Sequence, residues 1–234
     1  MCSALPDAIS FEAAAVLPLA LTTAAAGLFE KDQLDLVLPT AKPTEQGQTV
    51  VIFGGATSVG MNAIQLARNA GYDVIATAST RNFEFLQSLG DGALVDYHDS
   101  DVIEKINRHL DGRHLAGILA LANGSLSQAI AVAISTVGPA TKRIASAHPT
   151  LVTRIRGALA RRHGVHVSAI WGGTPKDTPV GPAIWNAFLP SALAEQHYKP
   201  APTALVIGHG LAAIPDALAR IRTGVSAQKI VVTL

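Results

Sequence analysis

The stretch Thr49 to Gly60, TVVIFGGATSVG, runs straight into MNAIQLARNAGYDVIATAST. That order of apolar run, glycine turn, amphipathic run and second apolar run is a βαβ unit. Thr49 to Phe53 is continuous, apolar and β-branched, the pattern of a parallel strand covered on both faces. Gly54 and Gly55 break it. From Val59, the residues Val59, Ala63, Ile64, Leu66 and Ala67 recur at helical spacing and put one stripe against a sheet. Gly71 closes that helix, and Asp73 to Ala78 reads as the next strand.

A turn of this kind brings backbone N–H groups and a helix N-terminus up to an anion, where a larger side chain would clash. A pyrophosphate fits that description. The usual spacing is G-x-G-x-x-G, and here the three positions are Gly55, Thr57 and Gly60. A threonine in the middle can donate its hydroxyl to a phosphate oxygen. A glycine turn alone, in a chain with 20 glycines, also reads as a plain loop, so the order of the flanking elements carries the argument. The residue that selects the nucleotide should lie at the end of the second strand, where the chain reads Ala78-Ser79-Thr80-Arg81-Asn82. No carboxylate is there to bind a ribose 2′-hydroxyl, whereas Ser79 and Arg81 offer a hydroxyl and a guanidinium suited to a 2′-phosphate. This favours NADP(H) over NAD(H). The alternative is that Ser79 caps the following helix and Arg81 is solvated on its first turn.

The chain has 234 residues, enough for one large domain or one domain with an appendage. It is 49% hydrophobic but only 5% aromatic, which points to a core of Ala, Val, Ile and Leu as in a helix-covered parallel sheet. A net charge of +1 gives no electrostatic case for nucleic acid or an acidic membrane. Arg161-Arg162-His163 reads as a solvated helix end. Cys2 is the single cysteine, so an internal disulfide and cysteine-rich zinc sites are excluded. Among eight histidines, only His163 and His166 have a spacing worth naming, and no metal site is expected. The apolar segment Ala13 to Phe29 is interrupted or flanked by Glu12, Pro18 and Gly27. It reads as a buried, Ala-rich helix capped by Ser10 rather than a membrane span, and a soluble, cytoplasmic protein is expected.

Glu30 to Gln48 reads as surface connector. Strand and helix then alternate: Ala93 to Asp96, Val102 to Leu110 (helix), Leu115 to Ala122, Leu126 to Val137 (helix), Ala140 to Ala145 and Val165 to Trp171. This is the strand count of a doubly wound α/β sheet, whose ligand lies along the strands' carboxyl ends. Three regions follow: 1–47, a linking helix and connector; 48–178, the nucleotide-binding domain; and 179–234. The last holds a helix over Val180 to Glu195, a strand from Thr203 to Ile207, a helix starting at Ile214-Pro215-Asp216 and stopped by Gly224, and a strand from Lys229 to Leu234.

Four segments carry a family resemblance: LPDAISFEAAAVLPLALTTAAAGLF, VVIFGGATSVGMNAIQLARNAGYDVIATASTRNFEFLQSLG, PVGPAIWNAFLPSALA and GLAAIPDALARIRTGVSAQKIVVTL. The chain resembles the medium-chain dehydrogenase/reductase superfamily, in the fungal zinc-independent branch that includes stand-alone enoyl reductases. The resemblance implies a doubly wound parallel Rossmann sheet with a remnant of the catalytic domain at the two termini. It implies that Gly55, Thr57, Ser58, Val59 and Gly60 form the pyrophosphate turn, and that Ser79 and Arg81 face the 2′-phosphate. Tyr97 would lie beside the adenosine end, or else be a half-buried residue at a strand end. Leu121, at the fourth strand's exit, and Ala147, at the fifth's, would border the nicotinamide. Members of the family begin with a GroES-like barrel that forms the other wall of the cleft, and this sequence starts where the linking helix should. Two readings stand: an excised piece of a longer chain, or a short form whose cleft is open or completed by a second copy or a partner subunit. Strand pairing through Lys229 to Leu234 would give a homodimer.

Three functions compete. The first is NADPH-dependent reduction of an activated alkene or carbonyl in a small, polyketide-like substrate, with Ser146 and His148 as candidate proton donors. The second is a repurposed fold that catalyses cyclisation, dehydration or isomerisation, with Trp171, Trp185 and Phe188 lining an apolar pocket. The third is a nucleotide- or partner-binding module without turnover.

Overall fold

The computed structural model describes residues 1–148 and 150–234, with side chains except at 151–154. Ser10 caps a single helical turn, Phe11–Ala14 (α1), its Oγ accepting from the Ala13 amide at 3.2 Å. The expected helix through Ala13 to Phe29 is in fact broken. Pro18 has no N–H to return to the Ala14 carbonyl, so the ladder stops and restarts as Pro18–Phe29 (α2), with the proline at its first position. The stretch Phe11–Phe29 is long and apolar enough to cross a bilayer. In the fold, however, Ala20 to Thr22 and Ala24 to Phe29 are buried, and α2 is a core helix.

The central sheet is built from Gln48–Phe53 (β1), Asp73–Ala78 (β2), Ala93–Asp96 (β3), His114–Ala120 (β4), Arg143–Ser146 (β5) and His166–Ala169 (β6). Their order is β3-β2-β1-β4-β5-β6, and every pairing is parallel. This is the doubly wound α/β arrangement expected, with the order reversing between β1 and β4. The connecting helices are Ser58–Asn69 (α3), Phe83–Gln87 (α4), Val102–Leu110 (α5), Leu126–Ser135 (α6) and Leu151–Ala160 (α7). Side chains of β1 alternate between two cores. Val50 and Ile52 meet α2 and α3 on one face, while Val51 and Phe53 meet α5 and α6 on the other. Arg161, Arg162 and His163 form a short exposed 3-10 turn that ends at Gly164 with φ 74°, so the solvated helix end is found. Neither His163 nor His166 belongs to a potential metal cluster among the described residues.

Beyond the sheet the chain is helical from Val180–Pro182 (α8) through a π segment, Ala183–Phe188, to Leu189–Ala194 (α9). The π turn has a local cause: Pro190 offers no N–H to the Asn186 carbonyl and its ring would crowd it, and one extra residue per turn relieves both. Thr203–His209 (β7), Ile214–Arg222 (α10) and Gln228–Thr233 (β8) then form a separate two-stranded parallel sheet with its crossover helix. The last strand is therefore paired along one edge. Leu211, Ile214, Leu218 and Ile221 remain exposed at a 3-4-3 spacing around α10.

The link between sheet and C-terminal segment is polar and buried. Asn62 on α3, with no solvent exposure, donates to the carbonyls of Ser58 at 2.8 Å and Ala201 at 2.9 Å, and accepts from the Tyr198 hydroxyl at 2.5 Å. Gln65 holds Lys199 from both sides, donating to its carbonyl at 3.0 Å and accepting from its amide at 2.8 Å. Burial pushes the Tyr198 phenol well above its ordinary value of 10.0. The unfolded chain ionises this group at lower pH than the folded chain, so its contribution is intact below about pH 10 and falls as pH rises above it. Alkaline melts should show that loss, and Tyr198→Phe should abolish its Tyr198 component while lowering stability at neutral pH. A Tyr198→Phe curve parallel to wild type above pH 10 would refute the assignment.

Candidate functional site

The β1–α3 turn is shaped by backbone crowding. A β-carbon at Gly60 would lie 2.2 Å from the Gly54 carbonyl oxygen and 2.8 Å from that of Gly55. Gly54 itself has φ 92° and passes close to the Ala122 amide, 2.9 Å from where its own β-carbon would stand. Only hydrogens fit there, so α3 starts hard against the end of β1. Thr57 is the N-cap of α3: its Oγ1 accepts from the Gly60 amide at 3.0 Å and donates to the Gly54 carbonyl at 2.8 Å. In this structure its hydrogen is engaged inside the turn, where it stabilises the helix start. The amides of Ser58 and Val59 make no hydrogen bond among the described residues, and they are the free donors of the first helical turn.

A cleft of about 810 Å³ opens at this point, along the carboxyl ends of β1, β2 and β4. Thr57, Ser58, Ser79, Arg81 and Tyr97 line it. Gly55 and Gly60 lie beneath it as packing residues, and Val59 is half-buried against the core. Ser79 makes no helix cap with its side chain; its Oγ accepts from Asn82 Nδ2 at 3.2 Å. Arg81 is exposed and has no hydrogen-bond or ion-pair partner among the described residues. Tyr97 is half-exposed and stacks on His98 with ring centroids 4.1 Å apart. The neighbouring Asp96 carboxylate is turned to His98, accepting from its amide at 3.0 Å. That backbone bond first, and the imidazole second, hold it below the usual carboxylate range.

The remaining candidates follow the sheet order away from the turn. Leu121 is buried, its amide bonded to the Phe53 carbonyl at 3.0 Å. Ala147 continues β5, its amide bonded to the Ala120 carbonyl at 3.1 Å. Ser146 is buried at the last position of β5 and its Oγ accepts from the His148 amide at 3.4 Å, while the His148 ring is exposed. These residues share the carboxyl edge of the sheet with the cleft but do not line it. None of the three aromatics lines the cleft: Phe188 is buried edge-on to Tyr198, Trp185 is half-buried and Trp171 is 75% exposed.

One wall of the cleft has no sequence signal. Ser125 and Gln128 after β4, and Val225 to Gln228 at the start of β8, all line it. The last four come from the C-terminal unit, which reaches back across the cleft. Nothing in the string Gly224-Val225-Ser226-Ala227 sets it apart from an ordinary turn.

No family model matches the chain. It is 40% identical over 249 residues to the dehydrogenase pigH of Monascus ruber, which aligns to 98% of this chain and 67% of that protein. It is 41% identical over 245 residues to the dehydrogenase azaJ of Aspergillus niger, at 100% and 67% coverage. The trans-enoyl reductase himH of Aspergillus japonicus is 33% identical over 232 residues, at 98% and 64%. Among solved structures, the CurK enoyl reductase superposes with a TM-score of 0.73 at 25% identity, covering 98% of this chain and 64% of that one. The chain thus spans about two thirds of the length of these relatives.

Proposed function

Because the chain belongs to the medium-chain dehydrogenase/reductase superfamily, we propose that its cleft binds NADP(H) and serves reduction of an activated alkene or carbonyl in a small, polyketide-like molecule. The observation that carries this reading is the end of β2. Ser79, with a hydroxyl hydrogen that no acceptor among the described residues takes, and Arg81, with an unpaired guanidinium, flank the same cleft. A 2′-phosphate supplies what both lack. The cradle fits the pyrophosphate as well: glycine backbone where a β-carbon would collide, and two free amides at the start of α3.

In this reading the nicotinamide supplies the hydride, and the chain's residues bind, orient and shield. Ser58 and Val59 amides and the α3 dipole hold the pyrophosphate. Tyr97 flanks the adenosine. The other end of the dinucleotide would extend beyond the cleft toward the strand exits at Leu121 and Ala147, since β4 and β5 are adjacent in the sheet. Ser146 and His148 stand at that exit as the candidate proton donors.

The test is titration of the chain with NADPH and NADH. Arg81→Ala should weaken NADPH by about 1 to 3 kcal/mol, the scale of a charge-assisted contact, and leave NADH nearly unchanged. Equal affinities of the variant and wild type for NADPH would remove the 2′-phosphate site. Binding of neither nucleotide by wild type would overturn the proposal.

A further inference from the structure

We propose that Asn82 is a positioning residue that turns the Ser79 hydroxyl toward the cleft and, through Ser226, fastens the loop before β8 across it. Its amide nitrogen donates to two hydroxyls, Ser79 Oγ at 3.2 Å and Ser226 Oγ at 3.3 Å. Ser226 Oγ in turn reaches Asn82 Oδ1 at 3.4 Å. Asn82 and Ser79 are each 8% exposed, so water offers little substitute for the bond between them. Its backbone is fixed too, with the amide bonded to the Ser79 carbonyl at 2.9 Å.

A hydroxyl has one hydrogen to give and two lone pairs to offer. With Asn82 donating into Ser79 Oγ, the Ser79 hydrogen is the part left for a ligand. Ser79 lines the cleft and is itself 8% exposed. It is therefore a nearly buried donor pointed, by its neighbour's demand, at an anion's oxygen. Without Asn82 the hydroxyl would be free to rotate and to accept instead.

The same amide governs the opposite wall. Val225 to Gln228 line the cleft yet belong to the β7–α10–β8 unit. Among the described residues no other side-chain hydrogen bond joins 203–234 to the nucleotide-binding sheet. Ala227 sits in this loop with φ 52°, a left-handed conformation that a residue with a β-carbon disfavours. Orientation of the phosphate-binding hydroxyl and closure of the far wall share one side chain, so a dinucleotide that engages Ser79 also stabilises the closed loop. The ligand in this inference rests on the NADP(H) reading above, whereas the clasp itself does not.

The experiment uses the full chain as wild type, Ser79→Ala, Asn82→Ala, Ser226→Ala and the Ser79→Ala/Asn82→Ala pair. Hydrogen exchange without nucleotide should show the 225–228 amides exchanging about tenfold faster in Asn82→Ala and in Ser226→Ala. Asn82→Ala should weaken NADPH about tenfold and NADH less than about threefold, whereas Ser226→Ala, on an exposed loop, should weaken both alike. In the Ser79→Ala background Asn82→Ala should no longer change the ratio of the two affinities, a non-additivity that a general packing defect does not produce. Equal loss for both nucleotides in Asn82→Ala, or full additivity with Ser79→Ala, would overturn the orienting role. Unchanged exchange at 225–228 in both loop variants would overturn the clasp. If wild type binds neither nucleotide, the cleft's assignment fails, and the exchange result still decides the clasp.

Discussion

Asn62→Ala is expected to lower the free energy of unfolding by about 4 kcal/mol, the sum of a small cavity and two buried groups left without partners. Asn62 has no solvent exposure and uses its full side chain, two donated bonds and one accepted. Its removal strands the Tyr198 hydroxyl and the Ala201 carbonyl, which are themselves buried. Neither can turn to water. The loss should be read in urea titrations, beside Tyr198→Phe, which removes one of the three bonds and should cost about 1 to 2 kcal/mol. A double-mutant cycle between the two should show coupling of about 1 kcal/mol, since they share a bond. A loss below 1 kcal/mol for Asn62→Ala would mean that the 197–201 segment is not held on α3 in this way.

Gly60→Ala is the second large effect, and it acts on both stability and binding. The added methyl would be placed 2.2 Å from one backbone carbonyl oxygen and 2.8 Å from another. Backbone atoms of a turn cannot swing away as a lysine tip can, so α3 must move off β1. The expected cost is about 3 kcal/mol, at the upper end for overpacking. Moving α3 also moves the Ser58 and Val59 amides, and NADPH affinity should fall at least about tenfold with the displaced helix start. Urea unfolding and NADPH titration of the same sample read both. An alanine variant with wild-type stability and affinity would show that the turn has slack, which the spacing of Gly54, Gly55 and Gly60 denies.

Much of the sheet was legible because glycines punctuate it. β2 over Asp73–Ala78, β3 over Ala93–Asp96 and α5 over Val102–Leu110 agree with the sequence reading residue for residue. Apolar runs bounded by Gly71, Gly92 and Gly112 leave little freedom there. Where proline sets the local geometry the reading failed in detail: Pro18 splits the first helix, and Pro190 forces a π turn into what read as a uniform one. β5 starts at Arg143 rather than Ala140, since Ala140 makes only an isolated bridge to Leu115. The cleft was half legible. Ser79 and Arg81, which line the cleft, are legible from their place at the end of β2, and Tyr97, which also lines it, from the family resemblance. At Thr57 the spacing does not distinguish a hydroxyl facing a phosphate from one capping its own helix, and the cap is what this structure shows. Asn82 and the 225–228 wall depend on contacts between segments 144 residues apart, and no local pattern encodes such a meeting.

That separation has a consequence in time. The cleft draws its walls from residues as far apart in sequence as Phe53 and Gln228. The glycine turn, its free amides and the Ser79 end of β2 form from segments close in sequence, whereas the 225–228 loop reaches them only through a contact 144 residues long. Parallel pairing waits on long chain closures and is slow for that reason. Binding competence should therefore appear as a late kinetic phase, behind the formation of the sheet, in refolding followed by nucleotide fluorescence.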